Sequence, residues 1–294
     1  MADNIGNKAA HDYHLDIAPV QDGFYVKGAA HRDLGMKNRL AKIFQPKSGN
    51  TVMLAFDHGY IMGPTAGLER IDLVVPPLAP YVDVLMGTKG VIRSCVSPAS
   101  PTATCVRVTY DTTVLFDEMS NGGGIACDIE NGIRMNADCM AVQTFIGAPG
   151  ESRSLELLAR TADAGTRYGI PTLGVVAVGK QMEHTEKFFQ LATRVLAENG
   201  ANIVKSYYCE GFERVAAACP VPIVIAGGKK LPELEALEMA YRAINEGAHG
   251  VDMGRNIFQS DSPEGMAAAV GKVVHEGYTA KQAYEVYEEI KNSK

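Results

Sequence analysis

Lys205 is the residue best placed for chemistry. It ends the apolar run Ala201–Lys205, inside the stretch A-N-I-V-K-S-Y-Y (201–208). Burial disfavours the charged form of a lysine, and an uncharged amine is a nucleophile that condenses with a ketone to give a Schiff base. The plainer reading is a strand-end lysine whose head reaches water. Its company argues for the first. Asp57 and His58 follow the apolar run Thr51–Phe56 and supply a carboxylate and an imidazole able to move protons. Taken singly, each also suits a capping or hydrogen-bonding role. Gly227 and Gly228 follow Pro222–Ala226, and Gly254 and Arg255 follow Gly250–Met253. Glycine loops of this kind let backbone N–H groups approach phosphate oxygens, and an arginine adds paired contacts. Lys180, after the run Pro171–Val178, either polarises a carbonyl, meets a co-substrate or is a solvated loop residue.

Positioning these groups requires a repeating scaffold. Val82–Met86, Thr104–Tyr110 and Asp138–Phe145 join the five runs above to give eight expected strands. Amphipathic segments alternate with them: Glu151–Tyr168, His184–Asn199 ending at Gly200, Pro232–Glu246 ending at Gly247, Ser262–His275 and Thr279–Lys291. Only Gly90–Cys95 suggests a helical turn in the early connections. Near-continuous apolar strands alternating with helices imply a parallel sheet covered on both faces. No G-x-G-x-x-G follows the first strand, and eight is the number that closes a (β/α)₈ TIM barrel. In such barrels the active site lies at the C-terminal ends of the strands, with phosphate in the loops after strands seven and eight. The glycine loops fall at those two positions. Asp33–Phe44 carries a helical stripe, with Asp33 as N-cap, outside the repeat; it covers the barrel floor or contacts a neighbouring subunit. The expected organisation is a flexible arm over residues 1–32 and one catalytic barrel over residues 33–294.

Composition narrows the function classes. The formal net charge is −6 and no basic run exceeds Lys229-Lys230, which argues against nucleic acid or an anionic membrane as the main partner. No apolar run approaches the ~20 residues of a membrane span, and the first thirty residues lack an apolar signal core. The six cysteines include no C-x-x-C pair, so reduced thiols in a cytoplasm are expected. Cys209, four residues after Lys205, is a minor candidate for a catalytic thiol. Histidines are not set at successive strand ends as a metal-dependent aldolase would need, and a Schiff-base mechanism requires no metal.

The segments V-M-L-A-F-D-H-G-Y (52–60), G-P-T-x-G-L-E-R-I-D (63–72), I-V-K-S-Y-Y (203–208), C-P-V-P-I-V-I-A-G-G-K-K-L-P-E (219–233) and G-V-D-M-G-R-N-I-F-Q-S-D (250–261) carry a resemblance. The chain resembles the class I aldolase family of the archaeal fructose-bisphosphate aldolase type over essentially residues 33–294. The resemblance implies a Schiff base on Lys205, a functional aspartate at Asp57 and phosphate loops at Gly227, Gly228, Gly254 and Arg255. Sugar-bisphosphate aldolases of the family carry a tyrosine after strand five, in a Y-P-R-G-like stretch. Here V-V-A-V-G-K (175–180) has none. The departure points to the family's thiolase branch, which acts in bacterial quorum-signal breakdown. That branch implies cleavage of a phosphorylated diketone, with acetyl passed to coenzyme A and dihydroxyacetone phosphate released. It also implies a homo-oligomer, a decamer, and no permanently bound cofactor. A sugar-phosphate lyase and a non-catalytic sugar-phosphate-binding barrel are the alternatives.

Overall fold

The computed structural model describes residues 23–63, 65–116, 123–177 and 184–293. Among them, eight parallel strands close a barrel: β1 (Thr51–Ala55), β2 (Val84–Thr88), β3 (Ala103–Arg107), β4 (Cys139–Thr144), β5 (Thr172–Val176), β6 (Ile203–Tyr207), β7 (Ile223–Ala226) and β8 (Gly250–Met253). Around the ring the order is β1-β8-β7-β6-β5-β4-β3-β2, so β6 stands opposite β2. β1 and β8 close the ring with Thr51 beside Gly250 and Leu54 beside Met253.

Strand alternation sorts the side chains into two layers. Met53, Ala55, Val84, Met86, Cys105, Ala141, Leu173, Ile203 and Val224 fill the barrel interior. Val52, Leu54, Val251 and Met253 face outward onto helices Glu233–Asn245 and Pro263–Glu276, and Leu85 and Val106 face outward on the side of Lys89–Cys95. Val142, Val204 and Ile225 do the same beneath Glu151–Tyr168 and Glu186–Glu198. The helix stops expected from glycine are present: Gly200 (φ 99°) and Gly247 (φ 101°) take backbone conformations that disfavour a Cβ. Thr279 opens Ala280–Asn292 with a reciprocal capping box to Gln282.

The helix Leu34–Ile43 seals the floor, with Met36, Leu40 and Ile43 buried in the interior cluster. Asp33 occupies its N-cap position but its side chain makes no capping bond. The arm expected over residues 1–32 falls only partly within the described residues. Residues 1–22 lie outside the described residues, whereas Val26 and Ala29 are buried, and the Tyr25 hydroxyl donates to the Phe44 carbonyl at 2.6 Å.

Among the strand boundaries that differ from expectation, two have a local cause. Val82–Met86 is shifted to Val84–Thr88, so Gly87 lies within the strand. A Cβ there would sit 2.5 Å from Phe56 Cε2, so this glycine serves close packing within the strand and not a turn. Thr104–Tyr110 is split after Arg107. The Val108 carbonyl accepts from both Ala126 N and Cys127 N, and Thr109–Tyr110 pairs antiparallel with Gly124–Ile125 as a ribbon on the rim.

Candidate active site

Lys205 is not at the end of its strand. β6 continues through Ser206 and Tyr207, which sets the lysine below the rim with its side chain inside the barrel. Its Nζ lies 2.8 Å from Oδ2 of Asp252, and the two side chains are 12% and 0% exposed. The contact is an ion pair by distance; neither Asp252 oxygen receives a well-aligned hydrogen bond. Burial raises the proton affinity of Asp252, and the neighbouring Lys205 offsets only part of that rise. A proton acceptor therefore stands against the amine.

A second ion pair crosses the mouth. Arg107, the last residue of β3, reaches Asp57 Oδ2 with Nε at 2.7 Å and Nη2 at 2.6 Å, both side chains buried. Burial alone would raise the Asp57 carboxyl; Arg107, Lys205 and His58 reverse it and hold the group below the usual carboxylate range. Arg107 also lies 5.4 Å from the ring centroid of Tyr60, whose hydroxyl donates to Gln143 Oε1 on β4 at 2.6 Å. Burial pushes the Tyr60 phenol up to about 12.

His58 packs edge-on against Phe258 at 5.7 Å and is pushed down to about 4, first by burial and then by Lys205, Arg255 and Arg107, against the pull of Asp57. Its ring is neutral at physiological pH. Among the described residues, His58 Nδ1, Arg107 Nη1 and Arg255 Nε are buried polar atoms without a hydrogen bond in this one region, and the Asp252 carboxylate has only its ion contact with Lys205. Buried polar groups are normally paired, so their convergence marks a place for a polar ligand.

The two glycine loops are tied together by a residue that the sequence did not single out. Asn256 is fully buried; its Nδ2 donates to the Gly227 carbonyl at 2.7 Å and its Oδ1 accepts from Leu231 N at 2.8 Å. Gly228 has φ 66° with open space where a Cβ would stand. At Gly254 a Cβ would strike the Ala55 carbonyl and come within 2.6 Å of His58 Cε1, so glycine is required for β8 to pass close to β1.

Lys205, Asp57 and His58 are thus gathered at the mouth, with Gly254 and Arg255 beside His58 and Gly227 braced alongside. Lys180 lies outside the described residues. Cys209 is buried and its thiol is pushed up to about 11, by burial and then by surrounding glutamates, which keeps it protonated and unsuited to attack. Arg107, Asp252 and Tyr60 were missed as site residues. Their signal was available: charges at positions 107 and 252 interrupt apolar strands, and Tyr60 closes the motif that contains Asp57 and His58.

Comparison with known proteins agrees with this fold. A family model described as DeoC/LacD family aldolase matches residues 51–260. An uncharacterized aldolase of Pasteurella multocida is 52% identical over 98% of this chain and 99% of its own. A 3-hydroxy-5-phosphonooxypentane-2,4-dione thiolase of Photorhabdus laumondii is 50% identical over 98% of both. Among solved structures, an archaeal fructose 1,6-bisphosphate aldolase shares the fold with a TM-score of 0.73 at 23% identity, covering 82% of this chain and all of its own. With the family model matching residues 51–260 and two relatives covering 98% of it, the chain belongs to the DeoC/LacD family of aldolases.

Proposed function

We propose that the protein is a Schiff-base thiolase that cleaves 3-hydroxy-5-phosphonooxypentane-2,4-dione, passing acetyl to coenzyme A and releasing dihydroxyacetone phosphate. The observation that carries the reading is the ion contact between Lys205 and Asp252 inside the barrel. Relatives that bear the thiolase name at 50% identity over nearly the whole chain supply the substrate.

The chemistry balances on residues of this chain. Asp252 takes a proton from the Lys205 ammonium, and the free amine adds to the C4 carbonyl. The protonated Asp252 returns its proton to the carbinolamine hydroxyl, which leaves as water, giving an iminium. That cation is the electron sink. A thiol adds to the C2 carbonyl and loses its proton to a base. The C2–C3 bond then breaks with its electron pair drawn into the enamine, releasing the acetyl thioester. Protonation at C3 and return of one water free dihydroxyacetone phosphate and the lysine. His58 is neutral and suited to accept and return a proton, while Asp57, kept ionised by Arg107, stabilises the cationic intermediate. Arg107 Nη1, a buried donor without a partner, suits the oxyanion that develops at C2. Gly227, Gly228, Gly254 and Arg255 cradle the phosphate. No metal or resident cofactor enters these steps.

The assembly we favour is a homo-oligomer, supported by the exposed apolar rim residues Val114, Leu115 and Phe116; sedimentation would read it directly. Borohydride reduction with dihydroxyacetone phosphate tests the mechanism. Mass should be added on Lys205, and Lys205→Ala should take up none. Acetyl thioester formation should require coenzyme A. Efficient cleavage of fructose 1,6-bisphosphate without it would overturn the thiolase assignment in favour of a lyase, and phosphate binding without any trapping would leave only a binding protein.

A further inference from the structure

A groove of about 420 Å³ opens at the mouth, between the segment that follows β1 and the helix Lys89–Cys95 that follows β2. Its apolar lining is Phe56, Leu68, Ile71 and Val91, with Glu69 beside them, and Asp57 and Tyr60 of the site described above also line it. Volumes of roughly 300–1,000 Å³ with mostly apolar lining are typical of small-molecule clefts. No step proposed for the phosphorylated diketone occupies this space.

The ring order gives the groove a direction. The phosphate loops follow β7 and β8, the Schiff-base lysine is on β6, and β2 stands across the barrel from β6. A diketone joined to Lys205 at C4, with its phosphate held over β7 and β8, turns its acetyl end away from the phosphate toward Asp57, Arg107 and Tyr60. A thiol attacking C2 must come from beyond those residues. The groove between β1 and β2 has two of them, Asp57 and Tyr60, in its lining.

We infer that this groove holds the pantetheine arm of the acyl acceptor, a slender, largely apolar chain ending in a thiol, with its nucleotide end outside on the surface. The inference rests on the thiolase reading and adds to it a binding site for the second substrate. Aliphatic walls suit the arm's methylene and gem-dimethyl groups. The polar part of the lining delivers the thiol where its proton can be accepted and where Arg107 faces the carbonyl.

Val91→Trp and Ile71→Trp fill the groove from two separate elements, and Val91→Met adds a smaller increment for grading. Three quantities are read on the full chain: borohydride trapping with dihydroxyacetone phosphate, Kd for coenzyme A by calorimetry, and KM for coenzyme A and for pantetheine. Native-like trapping shows that the variant is folded with an intact Lys205. The expected result is unchanged trapping with Kd and both KM values raised tenfold or more by tryptophan, and less by methionine. Trapping-competent tryptophan variants with native Kd and KM would overturn the groove assignment while leaving the thiolase reading in place. Absence of acetyl transfer to either thiol by the native protein would overturn both. Loss of pantetheine turnover in parallel with coenzyme A supports the arm as the occupant; an effect on coenzyme A alone would overturn it in favour of a nucleotide site.

Discussion

The two ends of the barrel solve opposite problems. At the floor, Leu40, Ile43 and Phe44 close the interior with apolar surface, and nearby charges reach partners: Lys42 meets Asp138 at 3.1 Å, and Arg39 donates to the carbonyls of Ala137 and Gly169. At the mouth, two ion pairs are buried, and an imidazole and two guanidinium groups each keep a nitrogen unpaired. Buried charge is costly unless well paired. Unpaired polar atoms occur at the floor too, at Thr51 Oγ1, Thr172 Oγ1 and His249 Nδ1, so what sets the mouth apart is its buried charge.

The comparison can be broken most severely at Lys205. Lys205→Ala should lower turnover on the order of 10⁴-fold or more while leaving thermal unfolding cooperative; retained turnover would end the Schiff-base account. Arg107→Ala comes next, because it strands Asp57 as a buried, unpaired carboxylate. A loss of about 3–5 kcal/mol is expected in urea unfolding, together with a fall in kcat. Leu40→Ala at the floor should cost about 2–5 kcal/mol by leaving a cavity, yet spare kcat in the protein that remains folded. If kcat fell as far as in Arg107→Ala, the two ends would not be separable.

The finest test is the pH dependence of stability. His58 titrates at about 4 in the folded protein against an ordinary value near 6.5. The unfolded chain therefore binds more protons in that window, so stability falls as pH drops from about 6.5 toward 4, by about 3 kcal/mol for this group. Above the window the contribution levels off. Unfolding of the native chain and of His58→Gln at pH 7, 5.5 and 4.5 should diverge in slope; parallel curves would mean that the imidazole is not desolvated. Asp57, with a depressed folded value, adds a loss of stability only at lower pH, as it is forced to protonate.

Much of the architecture was legible because parallel barrel strands are written as continuous apolar runs and helices as stripes ending in glycine. The strand-end rule then led to Lys205, Asp57, His58 and the two glycine loops. What escaped was whatever depends on strands facing each other across the lumen. Arg107 sits inside the run Thr104–Tyr110, but only the closed ring brings it against Asp57. Asp252 read as a strand residue, and nothing local indicates that it meets a lysine 47 positions earlier. Asn256 braces two loops and has no signature of its own. The break after Arg107 was hidden because Val108 and Thr109 suit a strand as well as they suit the turn that leaves it.

The seam between β1 and β8 has a further consequence for how the protein comes into being. Asp57 and His58 emerge from the ribosome nearly two hundred residues before Asp252, Gly254 and Arg255. Until the eighth strand is synthesised and docks against the first, the amine has no carboxylate to relieve it of its proton and the imidazole has no roof. On the proposed mechanism a nascent chain is inactive through most of its synthesis, and its site comes together only as the ring is shut.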